Sequence, residues 1–214
     1  MNRSKELENY ILDHISHEDD YLTELDRETN LNVLRSRMLS GHLQGKILSM
    51  ISSMISPETI LEIGTFTGYS AICLAKGLKP GGKLHTIEIN DELEPISVKY
   101  FQKAGLSDII VPHIGDALEI IPDFKFVFDL VFIDGDKREY VKYYDIVFNK
   151  VPIGGYILAD NILWSNKVLD KPEPNDEQTI GILAFNEMIK NDCRVEKVIL
   201  PIRDGMTIIR KISD

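Results

Sequence analysis

Positive charge is scarce in this 214-residue sequence: 24 Lys and Arg stand against 34 Asp and Glu, a formal net charge of −10. A nucleic-acid surface neutralises phosphates with clustered Lys and Arg, and the sequence supplies no such cluster, so nucleic acid is excluded as a partner. The acidity is spread along the chain and serves solubility. Cysteine is scarce too. Cys73 and Cys193 lie far apart without C-x-x-C spacing, which argues against a disulfide framework or a zinc site and predicts two buried thiols in a reducing cytosol. No apolar run approaches the length that spans a bilayer, and MNRSKELENY lacks the apolar stretch of an export signal; a cytoplasmic protein that stays off membranes is expected. Also missing are the G-x-G-x-x-G of a dinucleotide site and the G-x-x-x-x-G-K-[ST] of a phosphate loop.

With 43% hydrophobic residues the chain can fill one sizeable core, and the reading is a single domain over residues 1–214, with a helical cap over 1–56 and an α/β core over 57–214. Lys5 to Ser16 places Leu7, Tyr10, Ile11 and Ile15 at helical spacing, and His17 to Asp20 forms an acidic linker. His14 and His17 beside carboxylates read as surface histidines. Arg35 to Ser53 carries Met38, Leu39, Leu43, Ile47, Leu48, Met50 and Ile51 on a second helix, with Ser40 as N-cap.

The centre of the sequence is ILEIGTFTGYSAICL, residues 60 to 74: a short β-rich run, a glycine turn from Gly64 to Gly68, then a helix. Glycine lets a ligand approach bare backbone. Glu88 ends the next apolar run, Lys83 to Ile89, about 20 residues further on, where a carboxylate can accept ribose hydroxyls. The pair predicts a nucleoside-containing cofactor. A helix from Glu92 to Ala104 stops at Gly105; Ile109 to Ile114 is a strand, and Gly115-Asp116-Ala117 opens a short helix closed by Pro122. Strand, helix and strand in repetition predict a parallel sheet covered on both faces, with ligands over the strands' carboxyl ends.

Glu88, Asp116, Asp134 and Asp160 all fall at such ends. FDLVFI delivers Asp134-Gly135-Asp136-Lys137, and GYILA delivers Asp160-Asn161. Either loop alone would read as caps and turns made by Asp and Asn. Together, Asp134, Asp160 and Asn161 offer hard oxygen donors suited to Mg2+, with Mn2+ or Ca2+ as further hard cations.

ILEIGTFTGYSA, the strand ending in Glu88, FDLVFIDGDKREYVKYY and GGYILADNILW together resemble the cation-dependent, S-adenosylmethionine-dependent O-methyltransferases, the family of catechol and caffeoyl-coenzyme A O-methyltransferases. The resemblance implies a Rossmann-like class I methyltransferase fold with a seven-stranded, mostly parallel sheet, one antiparallel strand and helices on both faces. It implies that Asp134, Asp160 and Asn161 bind the metal and that Lys137 is the catalytic base. Met38, Ser40, Glu62, Gly64, Gly68, Tyr69, Ser70, Glu88, Asp116, Ala117 and Asp134 would hold S-adenosylmethionine. Lys137, Asn161 and Trp164 would meet a catechol-type acceptor. A homodimer is implied as well. Gly135 stands where the family usually has Ala, Ile153 where Pro usually precedes Gly-Gly, and Asn166 where Gly often follows the Trp. Arg194 to Pro201 and Met206 to Lys211, joined by Arg203-Asp204-Gly205, read as a hairpin whose last strand the resemblance makes antiparallel. Two alternatives stay open, a nicotinamide-dependent oxidoreductase and a non-catalytic protein that binds a nucleoside cofactor.

Overall fold

Strands covered on both faces need apolar side chains at nearly every position. Leu61, Ile63, Val131, Ile133, Ile157 and Ala159 are buried on one face of the sheet, and Ile60, Leu130, Phe132 and Leu158 on the other. The computed structural model describes residues 3–214. Its elements in order are α1 (Arg3–His14), α2 (Asp20–Asn32), α3 (Gly41–Ile55), β1 (Thr59–Ile63), α4 (Tyr69–Ala75), β2 (Lys83–Glu88), α5 (Glu94–Lys103), β3 (Ile110–Ile114), α6 (Ala117–Ile120), β4 (Leu130–Ile133), α7 (Tyr140–Phe148), β5 (Tyr156–Asp160), α8 (Glu177–Asn191), β6 (Val195–Leu200) and β7 (Met206–Lys211).

The seven strands form one sheet in the order β3-β2-β1-β4-β5-β7-β6. Neighbours from β3 to β5 are parallel, whereas β7 runs antiparallel to both β5 and β6. The hairpin and its antiparallel last strand are therefore as expected, in a single-domain α/β fold. The chain winds from β1 outwards to β3 and then returns to β4, so the strand order switches between β1 and β4. A crevice at the carboxyl ends opens at such a switch point. One face packs on α7 and α8 through Tyr140, Tyr144, Phe148, Phe185 and Ile189. The other packs on α2 to α5 through Leu25, Leu48, Ile72 and Phe101. Among the described residues, no helix is long and apolar enough to cross a membrane.

Several expectations change near the N-terminus. α2 was not foreseen, because its charges hide a narrow buried stripe of Leu22, Leu25 and Thr29. That stripe docks α2 on the core, while Leu7 and Tyr10 of α1 each stay 60% exposed. The next helix starts only at Gly41; Met38 and Leu39 precede it, in and just after a 3-10 turn over Ser36–Met38. Ser40 occupies the N-cap position in helical conformation and makes no side-chain cap bond. Cys73 is buried as expected, but Cys193 is exposed, since it sits in the turn between α8 and β6.

At the β3 edge, His85 and His113 share a hydrogen bond of 3.0 Å between ring nitrogens and lie among Phe124, Phe126 and Phe128. Burial lowers the pKa of both; for His85, His113 and Lys83 add to it and bring the value to about 4. The folded chain thus holds both rings neutral at a pH where an unfolded histidine, with a pKa of about 6.5, takes up a proton. Their contribution to stability is complete above about pH 6.5 and is lost as pH falls towards 4. Urea unfolding between pH 7.5 and pH 4.5 should show His85→Phe losing stability less steeply than the parent; parallel curves would refute the assignment.

Candidate active site

The site begins where two loops touch. Gly64 has φ +101, and a Cβ there would lie 2.5 Å from the Asp134 carbonyl oxygen. Only glycine lets the turn after β1 rest on the loop after β4. Asp134 N–H completes the junction by donating to Ile63 O at 2.9 Å. Gly68, φ +92, opens α4 with the Phe101 ring where a side chain would stand. Glu88, at the end of β2, accepts from Phe66 N–H at 2.7 Å and from Asn90 N–H at 3.0 Å. Its carboxylate therefore fastens the Gly64 to Gly68 turn and retains further acceptor capacity. Glu88 O also accepts from Gly115 N–H at 2.8 Å, which brings in Asp116. Asp116 caps α6 through Leu118 N–H at 2.8 Å, and Ala117 behind it is buried.

The side chains of Glu62 and Tyr69, two other residues expected at the cofactor, are engaged within the protein. Glu62 is wholly buried beneath the turn, accepts from the Thr86 hydroxyl at 2.5 Å, and has Oε1 without a partner. Burial pushes it up to about 8 against hydrogen bonds from Ser70 and Thr86, so it is a neutral acid at pH 7. The Tyr69 hydroxyl donates to Glu18 in the linker before α2, and its ring packs where a Gly45 side chain would lie. Ser70 is buried behind the turn.

Beside the turn, β4 and β5 deliver the charged group. Lys137, nearly buried, donates from Nζ to Asp134 Oδ1 at 2.7 Å and to the Tyr140 hydroxyl at 2.8 Å. That hydroxyl lies within bonding distance of two strand-end carbonyls, Ile133 O at 3.2 Å and Asp160 O at 3.1 Å. Burial, then Asp134 and Asp160, raise the Tyr140 phenol well above its ordinary range, which keeps its proton in place for donation. Asp160 is pushed up to about 6, first by burial and then by Asp134, with Gln44 and Lys137 opposing. Asn161 follows in left-handed conformation, φ +57. α8 lies against the backbone here, because a Cβ on Gly181 would be 2.4 Å from Lys137 O.

Trp164, Ser165 and Asn166 form a left-handed run, with φ of +47, +54 and +63. Trp164 N–H donates to Asn161 O at 3.2 Å, and Ser165 N–H to Asp204 Oδ1 at 2.5 Å. Asn in place of Gly at 166 suits that conformation. Gly135 is also accommodated: a Cβ there would meet Tyr143 Cε2 at 3.1 Å and Ile63 Cγ2 at 3.2 Å, so Tyr143 fills the room of the missing methyl.

Sequence reasoning missed Gln44, Tyr140 and Arg203. Gln44 Nε2 donates to Asp160 Oδ2 at 2.6 Å, and Arg203 donates to Gln44 Oε1 at 2.7 Å and to the carbonyls of Leu39 and Ser40. Ser40 is thereby tied to the end of β5, whereas the neighbouring Met38 side chain is 52% exposed. A glutamine in an otherwise apolar helical stripe was the available signal for Gln44. Arg203 left none.

The profile of the O-methyltransferase family matches residues 12–212. Caffeoyl-CoA O-methyltransferase 1 of Nicotiana tabacum is 35% identical over 181 residues, covering 79% of this chain and 76% of that protein. The O-methyltransferase TomG from Streptomyces achromogenes, involved in tomaymycin synthesis and solved in complex with SAM, has a TM-score of 0.91 at 27% identity over the whole of both chains. An O-methyltransferase from Bacillus cereus in complex with SAH has a TM-score of 0.87 at 28% identity over 96% of each chain. The nicotinamide-dependent and non-catalytic alternatives give way to these likenesses. A profile match over nearly the full length, on a sheet of this order with a glycine turn at its switch point, means that the chain belongs to the O-methyltransferase family.

Proposed function

We propose that the chain transfers a methyl group from S-adenosylmethionine to one hydroxyl of a catechol-type acceptor, with a divalent cation on Asp134, Asp160 and Asn161 and Lys137 as general base. The observation that carries this reading is the convergence of Asp134, Lys137 and Asp160 at adjacent strand ends, beside the Gly64 turn. The cation fits the residues. Lys137 takes one oxygen of Asp134 and Gln44 one of Asp160, which leaves each carboxylate a second oxygen, and one lysine does not balance the buried Asp160 and the half-buried Asp134.

When bound, the cation supplies Lewis acidity against the roughly 4 kcal/mol that ionising a phenol costs at pH 7, and S-adenosylmethionine supplies the electrophilic methyl. The chain's own residues hold the rest. Lys137 Nζ, fixed by Asp134 and Tyr140, takes the hydroxyl proton, while Asn161 and Trp164 flank the acceptor ring. Glu88 accepts the ribose hydroxyls, Asp116 and Ala117 border the adenine, and Met38, Ser40, Gly64, Gly68, Tyr69 and Ser70 surround the remainder, with Glu62 bracing the turn from below. Residues 1–56 act as a cap on the core. We propose a cytoplasmic enzyme, and a homodimer because Leu7 and Tyr10 of α1 and Met50 and Met54 of α3 expose apolar surface that a second copy can cover.

Lys137→Ala should lower turnover by about 10²–10⁴ while cation and cofactor affinities persist; full turnover at neutral pH would reduce Lys137 to a structural lysine. Chelator should abolish S-adenosylhomocysteine release with a catechol acceptor, and unchanged release would remove the cation. Glu88→Ala should weaken S-adenosylmethionine binding by about 1–3 kcal/mol in calorimetry, and unchanged affinity would disprove the ribose contact. Light scattering at micromolar concentration should give the mass of a dimer; a monomer there defeats the assembly.

A further inference from the structure

Gln44 sits on α3 at a position only 2% exposed, and a buried primary amide costs free energy unless both its ends are bonded. Both are. Arg203 carries only donors, so the group facing it must be the amide oxygen, and the –NH2 is left to face Asp160. Arg203 has its own fixed frame: it sits at φ +50 in the turn between β6 and β7, and its guanidinium also bonds Leu39 O and Ser40 O. A chain of oriented bonds therefore runs from the β6–β7 turn through Gln44 and ends on Oδ2 of Asp160.

We propose that Gln44 is a positioning residue for Asp160, holding Oδ2 so that the other carboxylate oxygen is presented to the site, and that Arg203 fixes the sense of the Gln44 amide. The inference rests on the reading of Asp160 as a cation ligand. The residue type follows from the task. A lysine at 44 would neutralise Asp160 and repel Arg203, and a glutamate would set a like charge against Asp160. A neutral amide orients the carboxylate and leaves its charge for a cation. Partners that orient a ligand in this way typically carry about 10–100-fold in metal affinity.

The test is Mn2+ binding by calorimetry, on the full chain without S-adenosylmethionine or acceptor, alongside thermal unfolding in chelator and S-adenosylmethionine affinity. Gln44→Leu, close in size but without a donor, should weaken Mn2+ about 10–100-fold and leave S-adenosylmethionine affinity unchanged. Arg203→Met, in which the amide is free to turn over, should weaken Mn2+ in the same direction by less, and it serves if Gln44→Leu does not fold. A residue that merely pins α3 to the sheet would lower the melting temperature and leave Mn2+ affinity at the parent value, which overturns the proposal. A parent that binds no Mn2+ overturns the cation reading first, and this inference with it.

Discussion

A buried carboxylate, Asp160, a half-buried one, Asp134, and the buried Lys137 meet at the ends of adjacent strands, and that uneven charge is the constraint around which the site is built. An uncompensated charge in a low-dielectric interior costs several kcal/mol, so neutral polar groups are drawn in around it. Gln44 donates its amide N–H from α3 to Asp160, and the Tyr140 hydroxyl at the start of α7 accepts from Lys137. Beneath the same turn, Glu62 meets the problem differently: burial pushes it up to about 8, and it stays protonated at pH 7. Glu88 remains half-exposed and spends its charge on the backbone N–H groups of the glycine turn.

The sheet topology turns this into one place rather than several. Because β1 and β4 are neighbours at the point where the winding reverses, the turn after β1 and the loop after β4 meet without any intervening strand. Gly64 removes the last obstacle, and the residues expected to hold the cofactor come to border those expected to hold the cation.

Most of this architecture could be read from sequence because its signals are local. Apolar runs marked β1, β2, β4 and β5 to within a few residues, and a glycine after β1 with acids at the ends of β2, β4 and β5 marked the site's edge. What could not be read depends on burial or on distant contacts. The docking stripe of α2 is three residues wide in a charged helix, so periodicity did not reveal it. Cys193 looked like any other cysteine until its turn was seen to face solvent. The Gln44–Arg203 bond spans a sequence separation of 159, and no spacing rule reaches so far. Tyr140 was in view as part of a motif, but its role depends on two carbonyls that only the closed sheet brings together.

The bare backbone contact between Gly181 and Lys137 couples two properties usually treated apart. α8 follows directly on the segment 162–176 that would form the acceptor rim, and it rests on the carbonyl of the proposed base with no side chain between them to absorb a shift. A rim that grows, shortens or changes course moves the start of α8, and a displaced α8 presses on Lys137 or withdraws its support. On the proposed mechanism, a change of acceptor rim and the aim of Lys137 are therefore mechanically linked.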